Sequence, residues 1–193
     1  SAFELDGETF SFPPNEGENL LHGGPEGLHQ VLFETEVVSQ SPPAVRFRYQ
    51  SPHMEGGFPG EVDVSVLYGW EDDGTLKVVM EADADRATLL NFTHHAYWNL
   101  KGHGEGDVLE HELQLQASEY LEVDEGNIPT GARLSCRLSP MDFRFRRALG
   151  FALPLVEGGY DHTLMLDEGV GPLTQGALLK DPESGRTLTL WTN

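Results

Sequence analysis

The run Val62-Asp63-Val64-Ser65-Val66-Leu67-Tyr68-Gly69-Trp70 decides the fold class. Val62, Val64, Val66, Tyr68 and Trp70 alternate with largely polar or small residues. A period of two belongs to a strand with one buried face, because successive side chains leave opposite sides of the backbone. The turn Asp72-Asp73-Gly74 follows, and residues 76–84 repeat the strand composition. Outward from this pair, residues 31–38, 44–51 and 87–93 are rich in Val, Phe, Tyr and Leu, and Ser41-Pro42-Pro43 and Glu55-Gly56-Gly57-Phe58-Pro59-Gly60 break the chain between strands.

The same signals continue to both ends. Residues 1–12 alternate Phe3, Leu5, Phe10 and Phe12 about Asp6-Gly7-Glu8, the pattern of a short hairpin. Further strands are expected at 111–117, 120–123, 133–138, 163–166, 173–179 and 187–191. No long window carries a 3.6-residue apolar period, and 22 Gly with 12 Pro supply steady breaks. Ten or more strands without a helix predict an all-β antiparallel sandwich, and 193 residues predict one domain. Both ends read as cut: Thr187-Leu188-Thr189-Leu190-Trp191-Thr192-Asn193 stops in strand-like sequence without a polar tail.

Composition narrows the partners. With 12 basic against 32 acidic residues, the formal charge of −20 repels phosphate backbones and anionic lipid surfaces, so neither nucleic acid nor a membrane is an expected partner. The one cysteine, Cys136, allows no intrachain disulfide and reads as a buried, inert thiol. No apolar run nears the ~18 residues of a membrane span, and no basic stretch precedes a hydrophobic one at the N-terminus. The expectation is a soluble, cytoplasmic protein. Oligomeric state leaves no signature in the sequence.

Chemistry concentrates in Asn91-Phe92-Thr93-His94-His95-Ala96-Tyr97-Trp98-Asn99-Leu100. Eight histidines are present, and three sit in unusual contexts: His22 beside a double glycine, His95 in this decapeptide, and His162 in Gly158-Gly159-Tyr160-Asp161-His162. His29, His53, His103 and His111 read as structural or simply exposed. On a strand, His94 and His95 would face opposite sides, and parity alone does not choose between them. Asp161 fits a turn as well as a site, and Tyr97 and Trp98 fit a core as well as a ligand surface. His94-His95 lacks the spacing that puts two imidazoles on one face, so no metal site is expected. Gly23-Gly24-Pro25-Glu26-Gly27 has no Lys-Ser/Thr after it and is no phosphate loop, but its glycines let the backbone approach another group closely.

Seven motifs, taken together and in order, resemble the aldose 1-epimerase (galactose mutarotase) family. They are Leu21-His22-Gly23-Gly24 with Gly27, Gly57-Phe58-Pro59-Gly60, the decapeptide, Asp124 with Ile128-Pro129-Thr130-Gly131, Met141-Asp142-Phe143-Arg144, Gly159-Tyr160-Asp161-His162, and Ser184-Gly185-Arg186. The resemblance implies a large twisted antiparallel β-sandwich, a single galactose mutarotase-like domain over residues 1–193, and interconversion of the α and β anomers of a free monosaccharide without a cofactor. It implies that His95 is the general acid, with His94 in the family's Asn position. It also implies that His22 and Asp161 bind the sugar and that Tyr97 lines it. The family's Gly-Arg-x-Ala-Asn-Arg-Ile stretch would precede Ser1. Its base, a glutamate in a Cys-Leu-Glu-like motif, and a substrate-binding glutamine would follow Asn193.

Two alternatives share these residues: a non-catalytic carbohydrate-binding sandwich, and a hexose-6-phosphate 1-epimerase served by Arg133, Arg137, Arg144, Arg146 and Arg147. The missing base yields the first prediction. The optical rotation of freshly dissolved α-glucose or α-galactose should decay no faster with the 193-residue chain than in buffer; acceleration would contradict the assignment of the base outside it.

Overall fold

An Asp-Gly pair forms the first turn. Strands β1 (Ala2–Leu5) and β2 (Glu8–Ser11) pair antiparallel with Leu5 opposite Glu8, leaving Asp6 and Gly7 between them at φ 52° and 82°. Two successive positive φ angles suit the twist of a hairpin, and Asp-Gly tolerates them. Phe3 stacks on Phe10 and Phe12, and Phe12 meets Phe58 at 4.5 Å, so the hairpin is held by its own aromatic face. The computed structural model describes residues 2–168, 171 and 173–193. Ser1, where the hairpin was expected to begin, lies outside the described residues. The chain forms two compact units, Ser1–His94 and His95–Asn193.

In the first unit, β3 (Glu34–Gln40), β4 (Pro43–Ser51), β5 (Val62–Trp70) and β6 (Leu76–Ala84) form an antiparallel meander in chain order. The expected boundaries of β5 and β6 hold, and β3 and β4 are displaced by a few residues at most. β5 is central, and its alternation holds at the start, where Val62 and Val64 are buried and Asp63 between them is exposed, but not at the end, where Gly69 is buried and Trp70 exposed. The β5–β6 turn closes through Glu71 N–H to Thr75 O at 2.9 Å and Thr75 N–H to the Asp73 carboxylate at 2.9 Å.

The strand expected at residues 87–93 does not form. This stretch joins no ladder among the described residues, and Leu89 and Leu90 are exposed. Apolar, strand-like composition makes a strand only where another edge accepts its peptide groups. His94 and His95 therefore do not alternate across a strand.

The second unit holds β7 (Glu112–Leu115), β8 (Ala117–Val123), β9 (Pro129–Ser135), β10 (Arg147–Ala148), β11 (Leu164–Leu166), β12 (Thr174–Lys180) and β13 (Thr187–Thr192). One antiparallel sheet has the order β10-β7-β12-β13 and the other β11-β8-β9. Gln116 joins them: its N–H donates to Gly176 O and its carbonyl accepts from Asp167 N–H, each at 2.9 Å, so the chain leaves one sheet and enters the next within one residue. The expected strand at 111–117 is therefore cut at Gln116, and β8 begins at Ala117.

β9 lies earlier than the expected 133–138. Asp124 Oδ1 accepts from Gly126 N–H and Ile128 N–H, which tightens the turn and pairs Val123 with Pro129. Pro at the first strand position leaves no ladder donor missing inside it. Ala117, Cys136, Met141, Phe143 and Ala152 are buried in this unit. No helix among the described residues is long and apolar enough to cross a membrane.

Val64 is 4 % exposed, so Val64→Ala should cost about 1–3 kcal/mol in urea unfolding through lost burial and an unfilled cavity. Asp63→Asn, on the opposite face, should stay within about 0.5 kcal/mol of the parent.

Candidate active site

His22 is carried by a backbone that only glycine-rich sequence can make. His22, Gly23 and Gly24 have φ of 54°, 76° and 73°, three left-handed residues in succession, and a short 3₁₀ turn, Gly24–Glu26, follows. A Cβ on Gly27 would stand 2.3 Å from the His22 carbonyl oxygen, so the close approach expected of this glycine run is real and its partner is the loop's own backbone. Asn15 braces the other side, accepting from Leu21 N–H at 2.7 Å and donating to Leu21 O at 3.0 Å. Glu26 then accepts from Gly56 N–H at 3.2 Å, joining this loop to the 3₁₀ turn Glu55–Gly57. Glu55 is itself held by the hydroxyls of Tyr49 at 2.5 Å and Ser51 at 2.6 Å. His22 stands exposed on this frame.

The two adjacent histidines take different ring partners. His94 lies edge-on to Tyr68 of β5, with ring centroids 5.8 Å apart. His95 stacks on Tyr97 at 5.1 Å with 29° between the rings. Both His95 and Tyr97 are exposed, Tyr97 at 89 %. The segment runs free of strand pairing until Asn99, where side chains take over. The Asn99 amide donates to Glu105 O and accepts from Lys101 N–H, each at 3.0 Å. Leu100 N–H donates to His111 Nε2 at 3.0 Å, and Arg186 Nη1 donates to Leu100 O at 2.9 Å and Lys101 O at 3.1 Å.

Asp161 is presented between two anchored rings. Tyr160 packs edge-on against Phe143 at 5.2 Å, and its hydroxyl donates to Pro140 O at 3.4 Å. His162 packs edge-on against Tyr120 at 5.9 Å and accepts from Asp161 N–H through Nδ1 at 3.2 Å. Gly158 and Gly159, at φ 73° and 91°, turn the chain into this position, and the Asp161 carboxylate stays exposed. Of the residues expected at the site, His95 and Tyr97 are brought together, Asp161 stands on its own loop of the same unit, and His22 belongs to the first unit.

His111 and Asp181, both fully buried, escaped the sequence reading as parts of a functional arrangement. The signal available was Asp181-Pro182-Glu183-Ser184-Gly185, a turn whose aspartate accepts from Glu183 N–H at 3.3 Å, Ser184 N–H at 3.0 Å and Ser184 Oγ at 2.5 Å. The Ser184 hydroxyl holds the Asp181 carboxyl below the usual carboxylate range. No three His, Cys, Asp or Glu side chains gather as metal ligands among the described residues.

Three of the five arginines that a phosphate site would need are paired with carboxylates. Arg144 forms a two-point pair with Asp142, at 2.8 and 2.9 Å. Arg133 meets Glu119 at 3.7 Å and Arg146 meets Glu112 at 3.3 Å. Arg147 donates to Pro140 O and lies over the rings of Phe143 and Phe151. Cys136 is fully buried, as expected, and burial pushes its thiol pKa up.

Comparison with known proteins gives concordant matches. The family described as aldose 1-epimerase matches residues 1–193. The chain is 36 % identical over 171 residues to the aldose 1-epimerase of Escherichia coli (strain K12), covering 86 % of the chain and 49 % of that protein. It is 37 % identical over 191 residues to the galactose mutarotase of Bos taurus, covering 98 % and 54 %. Among solved structures, an aldose epimerase homologue from C. elegans superposes with a TM-score of 0.83 at 32 % identity, over 98 % of this chain and 57 % of that one. The galactose 1-epimerase from Lactobacillus acidophilus NCFM gives 0.82 at 26 %, over 93 % and 54 %. The chain thus spans about half the length of the curated relatives it matches, and its fold is galactose mutarotase-like.

The Arg144 pair also sets an acid limit. Its guanidinium lowers the Asp142 carboxyl from 3.8 to about 2, so the stabilisation is full above the ordinary value and is lost as pH falls through the lowered one. With Arg144 partly exposed, the pair is worth about 1 kcal/mol. Asp142→Asn should cost that much in denaturant titration at neutral pH, and its gap to the parent should close between about pH 4 and 2.

Proposed function

Since the chain belongs to the aldose 1-epimerase family, we propose that the protein carrying it interconverts the α and β anomers of a free hexose such as galactose or glucose. It acts on the dissolved monosaccharide in the cytoplasm, without a cofactor, and both units belong to one mutarotase-like domain. The observation that carries this reading is the family match running unbroken from residue 1 to 193, across the boundary at His94 and His95.

The chemistry assigns a role to each residue. Opening the pyranose breaks the bond between C1 and the ring oxygen. A base removes the C1 hydroxyl proton as an acid delivers one to the ring oxygen; rotation about C1–C2 and reclosure then give the other anomer. His95 is that acid, and on reclosure it recovers its proton. The base is the glutamate that the resemblance assigns outside these residues. Tyr97, stacked on His95 and otherwise exposed, offers an aromatic face to the sugar. Asp161 accepts hydrogen bonds from ring hydroxyls, for which an outward carboxylate between two anchored rings is suited. His22 binds the sugar from a loop whose conformation is fixed before any ligand arrives.

His95 is favoured over His94 because it holds the histidine position of the family motif, with His94 in the family's Asn position. A free hexose is favoured over its 6-phosphate because Arg133, Arg144 and Arg146 each pair with a carboxylate within the protein.

In the protein carrying this chain, His95→Ala should lower kcat for α-galactose mutarotation by about 10²–10⁴-fold, with KM little changed. His94→Ala should stay within a few-fold, and Asp161→Asn should act chiefly on KM. A His95→Ala protein that follows the parental polarimetric decay would overturn the assignment.

A further inference from the structure

We propose that Arg186 and His111 are positioning residues for His95 and Tyr97, acting through the Leu100 and Lys101 peptides; the proposal rests on His95 being the proton donor. Residues 91–98 belong to no strand ladder among the described residues. The nearest backbone anchorage after Tyr97 is therefore at Asn99–Leu100–Lys101, and side chains supply most of it. The N–H and carbonyl of Leu100 go to His111 Nε2 and Arg186 Nη1, and those of Lys101 go to Asn99 Oδ1 and the same Arg186 nitrogen. In a β-strand these four groups would be bound by neighbouring backbone; here three side chains from different parts of the unit do so.

Each anchor is itself built in. His111 immediately precedes β7 and is fully buried. Accepting at Nε2 places its proton on Nδ1, which has no hydrogen-bond partner among the described residues. An apolar residue would fill this place without an unpaired buried donor, so the ring is explained by the peptide it receives, not by its own packing. Arg186 leaves the β12–β13 turn, whose shape is set by buried Asp181. That carboxylate accepts from Glu183 and Ser184, while Asp181 N–H donates to Arg186 O at 3.0 Å. Lys101 Nζ meets Glu183 of the same turn at 3.5 Å. The turn and the segment are thus tied at three points: two carbonyls under one guanidinium, and one ion pair.

A donor displaced by about 1 Å loses on the order of 10²-fold in rate. Arg186→Ala, whose side chain is exposed enough to be removed without opening the core, should lower kcat by about 10–10²-fold with KM nearly unchanged. It should also speed amide exchange of Leu100 seen by NMR. Arg186→Lys, with one compact cationic head in place of the fork, should recover part of both. His111→Gln, which keeps an acceptor, should retain more activity than His111→Leu.

The decisive arm combines Arg186→Ala with His95→Ala. Acting through His95, the arginine change should add no further loss in that background; an additive loss, or unchanged kcat and Leu100 exchange in Arg186→Ala alone, would overturn the proposal. His95→Ala at the parental rate would instead sink the catalytic reading and the positioning role for catalysis. Leu100 exchange would still decide the anchor independently.

Discussion

The pairing of backbone donors and acceptors governs this chain more than the composition of any one segment. β5 is bound along its length on both edges, from Ala44 opposite Gly69 to Ser51 opposite Val62, and from Val62 opposite Ala84 to Trp70 opposite Leu76. Once both edges are satisfied, the pleat allows only one register in which Val62 and Val64 are buried and Asp63 is not. Residues 87–93 have the same kind of composition but no such partner among the described residues, and they form no strand. Pairing stops at the end of β6, and at Leu100 and Lys101 side chains take the place of a neighbouring strand. One requirement, that peptide groups find partners, accounts for the sheet, its limit, and the anchorage of the segment that follows.

The acidity of the chain is dispersed in the same economical way. Arg46 and Arg48 both meet Glu36 at 3.6 Å, Arg86 meets Asp85 at 3.2 Å, and Arg133, Arg144 and Arg146 each have a carboxylate. Exposed pairs of this kind contribute between nothing and about 1 kcal/mol each. Their larger effect is on recognition: with a carboxylate beside each, these cations present a weakened positive field to phosphate.

Much of the fold was legible because period-two alternation reports a face directly. β5 and β6 were bounded correctly from their sequence, and the hairpin at Asp6-Gly7 from its turn chemistry. The errors share a cause. Residues 87–93, the break at Gln116 and the early start of β9 each depend on which edge a segment meets. For the candidate site, the glycines around His22 announced a special backbone, and it was found at φ 54°, 76° and 73°. What they did not announce was the object of the close approach, the loop's own carbonyl. His111 read as an ordinary histidine because its meaning lies in the Leu100 peptide eleven residues before it.

The sequence by itself determined the β class, the turn positions whose φ angles demand Gly or Asp, and the motif order that marks the family, through which His22, His95, Tyr97 and Asp161 became the candidates. These follow from local chemistry: alternation, backbone sterics and motif order are properties of neighbouring residues. Only the tertiary structure gave the His94 ring to Tyr68 and the His95 ring to Tyr97. It alone occupied the arginines, buried Asp181 beneath its turn, and brought His111 and Arg186 to the same peptide. Those outcomes depend on contacts between residues far apart in the chain, and which distant group reaches a given donor is fixed only when the strands have chosen their partners.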